Sequence, residues 1–180
     1  MRVIAGRFKG RRLKAPTWEG LRPTSDKLRE TLFNILAARV DGSRVLDGYA
    51  GTGAIGIEAL SRGAAHVTFV DKSRRAAALI AENLQGCGVE GGYTIECAEV
   101  AAALDGLPAA DAFDLILLDP PYDHAHVIPT LEAAARRLAG DGLVVLERAT
   151  RREPPDCAAL VRTRDVKSGD SSLTFFERRP

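Results

Sequence analysis

The chain has 180 residues, of which 46% are hydrophobic and 27% charged, and this length and composition predict one compact domain with at most a small appendage. No apolar run approaches the roughly 18 residues that a membrane span needs, and no long apolar core follows the first basic residues, which argues against a membrane protein and a secretory signal. Cys87, Cys97 and Cys157 are odd in number and far apart, which fits neither a disulfide framework nor a zinc pattern and indicates a reducing cytoplasm.

The net charge of +1 is unevenly distributed along the chain. Residues 1–40 contain ten Lys or Arg and three Asp or Glu, a charge of +7, which leaves −6 for residues 41–180. This asymmetry predicts a basic N-terminal extension, residues 1–40, on a mildly acidic body, residues 41–180.

Two short, partly alternating runs at residues 2–5 and 12–15 flank a basic segment bounded by two glycines. The pattern predicts a β-hairpin with a basic tip. Cations with an aromatic residue among them are typical of a surface that contacts phosphates and bases, although a solvated hairpin without a partner is the alternative. The residues of this predicted nucleic-acid surface are Arg2, Arg7, Phe8, Lys9, Arg11 and Arg12.

A helix is predicted from Thr24 or Ser25, either of which can cap its first turn, to about residue 39. Asn34 falls among the apolar residues of this helix and is either an ordinary boundary residue or a ligand contact. Basic residues at the start of the helix, off its apolar face, would extend the nucleic-acid surface, and these are Arg22, Lys27 and Arg29.

From residue 44 onward, short apolar runs alternate with helical segments. This alternation predicts a parallel sheet with right-handed crossovers, an α/β fold. The tail lacks a helix, so its two runs, 159–162 and 173–176, are predicted to pair antiparallel at the edge of the sheet. The predicted strands are 45–46, 66–70, 93–95, 113–118 and 143–147, and the predicted helices are 54–62, 73–85 and 124–138.

Acidic residues end several predicted strands, where a doubly wound sheet binds its ligands. The run Gly51-x-Gly53-x-x-Gly56 formally matches the dinucleotide fingerprint, but here Asp47 ends the strand and the glycine turn comes later. A negative charge suits a cationic ligand better than a pyrophosphate. S-adenosylmethionine carries an ammonium and a sulfonium and no phosphate, so it is the predicted cofactor.

Each acid has a predicted role toward this cofactor. Asp47 would attract its cationic part, and Asp71 would accept hydrogen bonds from both ribose hydroxyls. Glu99 either faces the adenine amine or caps a helix. The predicted cofactor contacts are Asp47, Gly48, Tyr49, Ala50, Gly51, Thr52, Gly53, Asp71, Lys72, Glu99 and Val100.

The predicted catalytic stretch, Asp119, Pro120, Pro121 and Tyr122, follows an apolar strand. Neither proline has an N–H, and both have φ fixed near about −65°, so the turn is stiff and its carbonyls point outward. Asp119 and the carbonyl of Pro120 could accept both hydrogens of a planar NH2 group, and Tyr122 could stack on the ring that carries it. This suits methylation of an exocyclic amine. The alternative is a rigid turn with a solvated acid.

Four stretches, residues 2–13, 22–36, 46–64 and 119–122, together resemble the small single-domain family of bacterial 16S ribosomal RNA guanine-N2 methyltransferases. The resemblance implies a Rossmann-like methyltransferase sheet of seven strands with the last one antiparallel, and an N-terminal extension used for RNA. It also implies that the helix from Thr24 to Asn34 packs over the methionine end of S-adenosylmethionine, so both residues join the cofactor contacts. Two departures are Gly48, where a larger apolar residue is usual and the cofactor turn is loosened, and Glu99, where Asp is usual.

The expected activity is methyl transfer to guanine N2, with 16S rRNA or the assembling small subunit as partner and with no membrane, no metal and a monomeric state. Adenine N6 in DNA is the alternative substrate, but the chain has no space for a further target-reading region. A glutamine amide is disfavoured because such enzymes usually have Asn in place of Asp119. From other classes, a nicotinamide-dependent reductase lacks an evident hydride-transfer set, and a non-catalytic RNA-binding protein stays open.

Overall fold

Strands and helices alternate along the chain, and the strands of the described residues form one seven-stranded sheet. The computed structural model describes residues 1–18, 24–108, 112–121 and 127–180. The strands are β1 (Arg44–Gly48), β2 (His66–Val70), β3 (Tyr93–Glu96), β4 (Phe113–Leu118), β5 (Leu138–Ala149), β6 (Leu160–Ser168) and β7 (Ser171–Arg178). Their order is β3-β2-β1-β4-β5-β7-β6, and β7 is antiparallel to both β5 and β6. The predicted Rossmann-like sheet with its antiparallel last strand is confirmed.

Within the described ranges two helices precede the first strand, α1 (Asp26–Ile35) and α2 (Ala37–Val40), and four helices connect the parallel strands, α3 (Ala54–Ser61), α4 (Arg74–Gly86), α5 (Val100–Gly106) and α6 (Val127–Arg137). The predicted N-terminal helix is split, because α1 ends at Ile35 and α2 begins after Leu36. Helix α5 has no counterpart in the sequence prediction. It is only 7 residues long and rich in alanine, which gives it almost no amphipathic pattern.

The strand order reverses between β1 and β4, which are parallel neighbours. From β1 the chain builds outward through β2 to β3, and then returns to build β4 and β5 on the other side. A reversal of this kind opens a crevice at the carboxyl ends of the two central strands. The fold therefore places the ends of β1 and β4, and with them Asp47 and Asp119, beside one another.

Two hydrophobic layers cover the two faces of the sheet. Successive strand residues point to opposite faces, so Val45 and Leu46 belong to different layers, as do Phe175 and Phe176. One layer is formed with α1, α3 and α4, and the other with α5 and α6. Both faces being covered explains why the central strands are continuous apolar runs.

The N-terminal segment is paired over a shorter length than the predicted hairpin. Residues 1–14, the N-terminal arm, are closed by one antiparallel bridge between Arg2 and Arg12 and by three backbone hydrogen bonds between residues 1–3 and 10–13. Phe8 is buried in the same core layer as α1 and α3, so it is not available to stack on a base, and that prediction was wrong. The hydrophobic effect accounts for this, since Val3, Phe8 and Leu13 all cover the sheet layer. The domain boundary at residue 40 stays a prediction.

No helix of the described part of the chain is long and apolar enough to span a membrane. Across the same described ranges, no group of three or more His, Cys, Asp and Glu residues is placed to hold a metal ion. The expected absence of a metal and the monomeric state stay predictions.

Candidate active site

A cavity of about 360 Å³ opens at the carboxyl ends of the parallel strands. Its size is that of a small-molecule site. Residues from β1, β2, β4 and β5 meet there with the N-terminus of α1 and the turn between β6 and β7. It is lined by Thr24, Ser25, Asp47, Tyr49, Ala50, Gly51, Thr52, Ala54, Ile55, Asp71, Lys72, Ala98, Glu99, Val100, Asp119, Pro120, Pro121, Glu147, Ser168, Asp170 and Ser171.

The turn after β1 has an unusual backbone. Tyr49, Gly51 and Gly53 have φ values of 62°, 55° and 76°, and Tyr49 is the one non-glycine residue with positive φ in the described ranges. Such a conformation is strained for a tyrosine, and strain of this kind is concentrated at functional sites. The Tyr49 hydroxyl lies 2.9 Å from the Thr130 hydroxyl of α6, which fixes the side chain.

Asp47 is buried at the floor of the cavity, with 2% of its surface exposed. Burial raises the pKa of its carboxyl to about 8, although the Gly56 N–H, which donates to it at 2.8 Å, acts in the opposite direction. The carboxyl is therefore largely protonated at neutral pH when nothing cationic is beside it. A cation entering the cavity would favour the ionised form, so the site has a latent negative charge.

Asp71 supports the glycine turn from the end of β2. One carboxylate oxygen accepts from the Gly51 N–H at 3.0 Å, and the other accepts from the Ser73 N–H at 2.9 Å. A carboxylate offers about four lone-pair sites, so acceptor capacity is left for a hydroxylated ligand.

Glu99 and Lys72 lie together at the rim of the cavity. They form an exposed ion pair of 3.3 Å. Glu99 occupies the N-cap position of α5, but its side chain makes no capping hydrogen bond, so the capping role is not realised. Its side chain is held at the cavity by Lys72 instead.

Three predicted cofactor residues, Asn34, Gly48 and Gly53, are not among the residues that line the cavity. Asn34 is exposed on α1, and its role as a cofactor contact stays a prediction. A Cβ at Gly48 would lie 2.7 Å from a Leu118 methyl and 3.0 Å from a Val100 methyl. The side chains of Leu118 and Val100 occupy the space that a larger residue at position 48 would need, so Gly48 does not loosen the turn in the way we expected.

Asp119 lies at the end of β4, and its backbone N–H donates to the Gly48 carbonyl at 3.3 Å. Its carboxylate accepts from the Thr24 hydroxyl at 3.1 Å. Pro120 and Pro121 line the same cavity as Asp47 and the glycine turn. The two halves of the predicted site are therefore brought together, while Tyr122 lies outside the described residues.

Two features of this cavity were missed from the sequence, Glu147 and the β6–β7 turn. The hydroxyl of Thr24, a predicted cofactor contact next to the Ser25 cap of α1, lies 3.3 Å from the carboxylate of Glu147 on β5. Glu147 follows an apolar strand just as Asp47 and Asp119 do, and this signal could have identified it. The β6–β7 turn also lines the cavity, through Ser168, Asp170 and Ser171.

Most cations of the predicted nucleic-acid surface are on the surface, but one is not. Arg29 is fully buried, and its guanidinium donates to the Arg2 carbonyl at 2.7 Å and to Asp26 at 2.8 Å. Desolvation lowers the pKa of this guanidinium. The prediction that Arg29 contacts RNA was wrong, because the N-terminal arm covers it. Arg22 lies outside the described residues, and the exposed cations are Arg2, Arg7, Lys9, Arg11, Arg12 and Lys27.

The N-terminal arm is clamped onto α3, the helix that begins at the glycine turn. The buried carboxylate of Glu58 accepts from the Ile4 N–H at 2.8 Å, the Ala5 N–H at 3.0 Å and the Arg62 side chain at 2.8 Å. Ser61 accepts from the Phe8 N–H at 2.9 Å. Sequence reasoning gave no role to these two residues, because their partners are more than 50 positions away in the chain.

Comparison with known proteins agrees with this geometry. The family described as Conserved hypothetical protein 95 has a model that matches residues 1–177. The chain belongs to this family. Its relatives include the Bacillus subtilis protein YlbH, named provisionally as an rRNA methyltransferase, which is 36% identical over 183 residues, with 99% of this chain and 100% of YlbH covered.

Two further relatives come from Escherichia coli. Ribosomal RNA small subunit methyltransferase D is 33% identical over 150 residues, which cover 82% of this chain and 74% of that protein. The solved structure of yhhF, named provisionally as a methyltransferase, has a TM-score of 0.86 at 30% identity and covers 99% of this chain and 97% of its own. The family resemblance drawn from the sequence is confirmed, and the fold is that of S-adenosylmethionine-dependent methyltransferases.

Proposed function

We propose that this protein transfers a methyl group from S-adenosylmethionine to the exocyclic N2 amine of a guanine in 16S ribosomal RNA. The observation that carries the proposal is the shared cavity: an Asp-Pro-Pro turn for a planar amine and a carboxylate-guarded glycine turn for a cation line the same space. The name of the Escherichia coli relative, a methyltransferase of small-subunit ribosomal RNA, supports the RNA substrate.

The residues on the β1 and β2 side fit S-adenosylmethionine. The latent charge of Asp47 suits the ammonium and sulfonium, and Asp71 has acceptor capacity for ribose hydroxyls. The carboxylates of Asp71 and Asp47 hold the glycine turn and the start of α3, and negative groups so close to the turn favour a cationic ligand over a phosphate. Bound here, the cofactor would supply an electrophilic methyl group on a sulfonium sulfur.

The residues at the end of β4 would hold the acceptor amine. Asp119 and the Pro120 carbonyl accept its two hydrogens, which fixes the plane of the base and leaves the nitrogen lone pair perpendicular to that plane. The carboxylate of Asp119 also stabilises the positive charge that develops on nitrogen, and it is placed to accept the proton that the amine loses. Most of the rate acceleration comes from holding nitrogen and methyl in line.

The base has to leave its helix to present the amine in this way, since a stacked base exposes only its edge. The exposed cations of the N-terminal arm would bind the phosphates around it. Helix α1 connects the two regions, because Arg29 on the helix donates to the Arg2 carbonyl of the arm and Thr24, just before the helix, donates to Asp119 at 3.1 Å.

The proposal is tested by titrating the purified protein with S-adenosylmethionine and with NADH, and by following labelled methyl transfer to small-subunit RNA and to DNA. We expect binding of S-adenosylmethionine alone and transfer to RNA alone. Binding of NADH would point to a reductase, transfer to DNA to an adenine methyltransferase, and cofactor binding without any transfer to a non-catalytic RNA-binding protein.

A further inference from the structure

A second carboxylate lies beside Asp119 in the cavity. The Thr24 hydroxyl is 3.1 Å from an Asp119 oxygen and 3.3 Å from a Glu147 oxygen, so the two carboxylates lie within two hydrogen-bond lengths of each other. Both line the cavity together with Pro120. The methyl transfer proposed above uses Asp119 and the Pro120 carbonyl, and it gives Glu147 no function.

The Watson–Crick edge of guanine carries three groups in a fixed order: the N2 amine, the N1–H and the O6 carbonyl. The first two are donors and the third is an acceptor. Adenine presents an amine next to an N1 that is an acceptor. A carboxylate adjacent to the amine site therefore attracts guanine through N1–H and repels the N1 lone pair of adenine.

The order of the strands in the sheet matches the order of these groups. Asp119 follows β4, Glu147 lies on β5, and Ser171 begins β7, and these three strands are neighbours in that sequence. Along this edge the cavity is lined by the carboxylates of Asp119 and Glu147, and then by Asp170 and Ser171 of the β6–β7 turn. The two adjacent acceptors Asp119 and Glu147 match the two adjacent donors of guanine, the N2 amine and N1–H.

We propose that Glu147 accepts the N1–H of the target guanine and thereby selects guanine over bases whose N1 is an acceptor. The inference rests on the proposed function, since it assigns a specificity residue to the same site. Glu147 is held for this role by Thr24, whose hydroxyl lies between the two carboxylates. A base with an unprotonated N1 leaves a carboxylate facing a lone pair, and this mismatch lowers kcat/KM for that base.

The test uses RNA fragments that carry either guanine or 2-aminopurine at the methylated position. 2-Aminopurine keeps the amine but has an unprotonated N1. We expect the wild-type kcat/KM to favour guanine on the order of 10- to 100-fold, the range of one hydrogen bond to a charged group. In Glu147→Gln the amide can donate to N1, so the preference should shrink by about tenfold.

2-Aminopurine also lacks O6, but this difference is the same for every variant and cancels when the guanine preferences are compared. Glu177→Gln removes one charge from an exposed position on β7 outside the cavity, and we expect it to keep the wild-type preference. Binding of S-adenosylhomocysteine and the melting temperature report whether Glu147→Gln is folded.

A wild-type enzyme that methylates guanine N2 while Glu147→Gln keeps the full guanine preference would overturn the role of Glu147 and leave the proposed function intact. If Glu147→Gln does not fold, the wild-type enzyme still tests the role of Glu147. Equal kcat/KM values of the wild type for the guanine and 2-aminopurine RNAs would overturn that role. No methylation of guanine N2 by the wild type on any RNA would overturn both proposals.

Discussion

Single side chains set the chemistry of the cavity, and Asp119 is the central one. Its backbone N–H donates to the last residue of β1, and its carboxylate accepts from Thr24, so its position is fixed from two sides. A carboxylate held in this way can orient an amine without reorganising during the reaction.

Asp119→Ala should therefore lower kcat by about 10²- to 10³-fold, the typical effect of removing one preorganised polar group. The affinity for S-adenosylmethionine should change little, because Asp47 and Asp71, the carboxylates assigned to the cofactor, lie at the ends of β1 and β2. Steady-state methylation and cofactor titration measure the two effects. Asp156→Ala, at an exposed position outside the cavity, is the matched control. Near wild-type turnover of Asp119→Ala on its natural RNA would remove this mechanism.

The buried carboxyl of Asp47 should make cofactor affinity depend on pH. Its pKa is raised to about 8, and a cationic ligand prefers the ionised form. Affinity should rise with pH up to about 8, by at most about tenfold per pH unit because one proton is released. Isothermal titration from pH 6 to pH 9 measures this, and Asp47→Asn should bind more weakly with no such slope. A flat profile for the wild type would contradict the account.

The raised pKa of Asp47 also affects the stability of the cofactor-free protein. This stability should fall as pH rises, whereas cofactor affinity should increase. The carboxyl binds its proton more tightly in the folded than in the unfolded chain, so its contribution is fully present below about pH 4 and is lost as pH rises toward about 8. Melting of the cofactor-free protein should show Asp47→Asn gaining stability relative to the wild type between pH 5 and pH 8. A constant stability difference between the two proteins over that range would show that the carboxyl is already ionised in the folded chain.

At the scale of elements, the N-terminal arm is held by a buried carboxylate. Glu58→Gln keeps the size of the side chain but turns an amide donor toward the N–H of Ile4 or Ala5. We expect a loss of about 1–3 kcal/mol in the free energy of unfolding, with faster proteolysis of the arm. The control is Glu82→Gln, whose ion pair with Lys14 is exposed and should contribute less than about 1 kcal/mol. Equal effects of the two variants would contradict the clamp.

The exposed cations of the arm form a second element with a measurable property. Replacing Arg7, Lys9, Arg11 and Arg12 by alanine should weaken RNA binding and flatten its salt dependence, by about 0.7–0.9 in slope for each phosphate that the protein no longer neutralises. The control removes four exposed cations outside the arm, at Arg151, Arg162, Arg164 and Lys167. An unchanged slope in the arm variant would exclude the arm as an RNA-binding element.

The sequence predicted elements better than it predicted their packing. Strands 66–70 and 113–118 were located to the residue because both faces of the sheet are covered there and most residues of each run are apolar. Arg29 was misassigned because helical periodicity describes only the face toward the sheet, whereas the arm covers another face of α1. Phe8 was misassigned because its partners in the core lie far away in the chain. Contacts between distant segments leave no periodic pattern in the sequence of either segment.

At the scale of the whole molecule, the order and direction of the strands bring the residues of the site together. The reversal of strand order brings Asp47 and Asp119 together, and this followed from the alternating pattern of strands and helices. The β6–β7 turn reaches the same cavity because β7 runs antiparallel and so begins at the end of the sheet where the parallel strands finish. The contact of the β6–β7 turn with the cavity could not be predicted. The sequence placed the two tail strands at the edge of the sheet but did not give their order.

The central claim is that one cavity holds a planar amine against a methyl donor, and the position of the transferred methyl tests it most directly. Small ribosomal subunits and naked small-subunit RNA from a strain lacking this protein should be incubated with the purified enzyme and labelled S-adenosylmethionine, and the modified nucleoside identified by mass spectrometry. The account predicts one N2-methylguanosine. A methyl group on a ring carbon, on a ribose hydroxyl or on no nucleotide at all would contradict it.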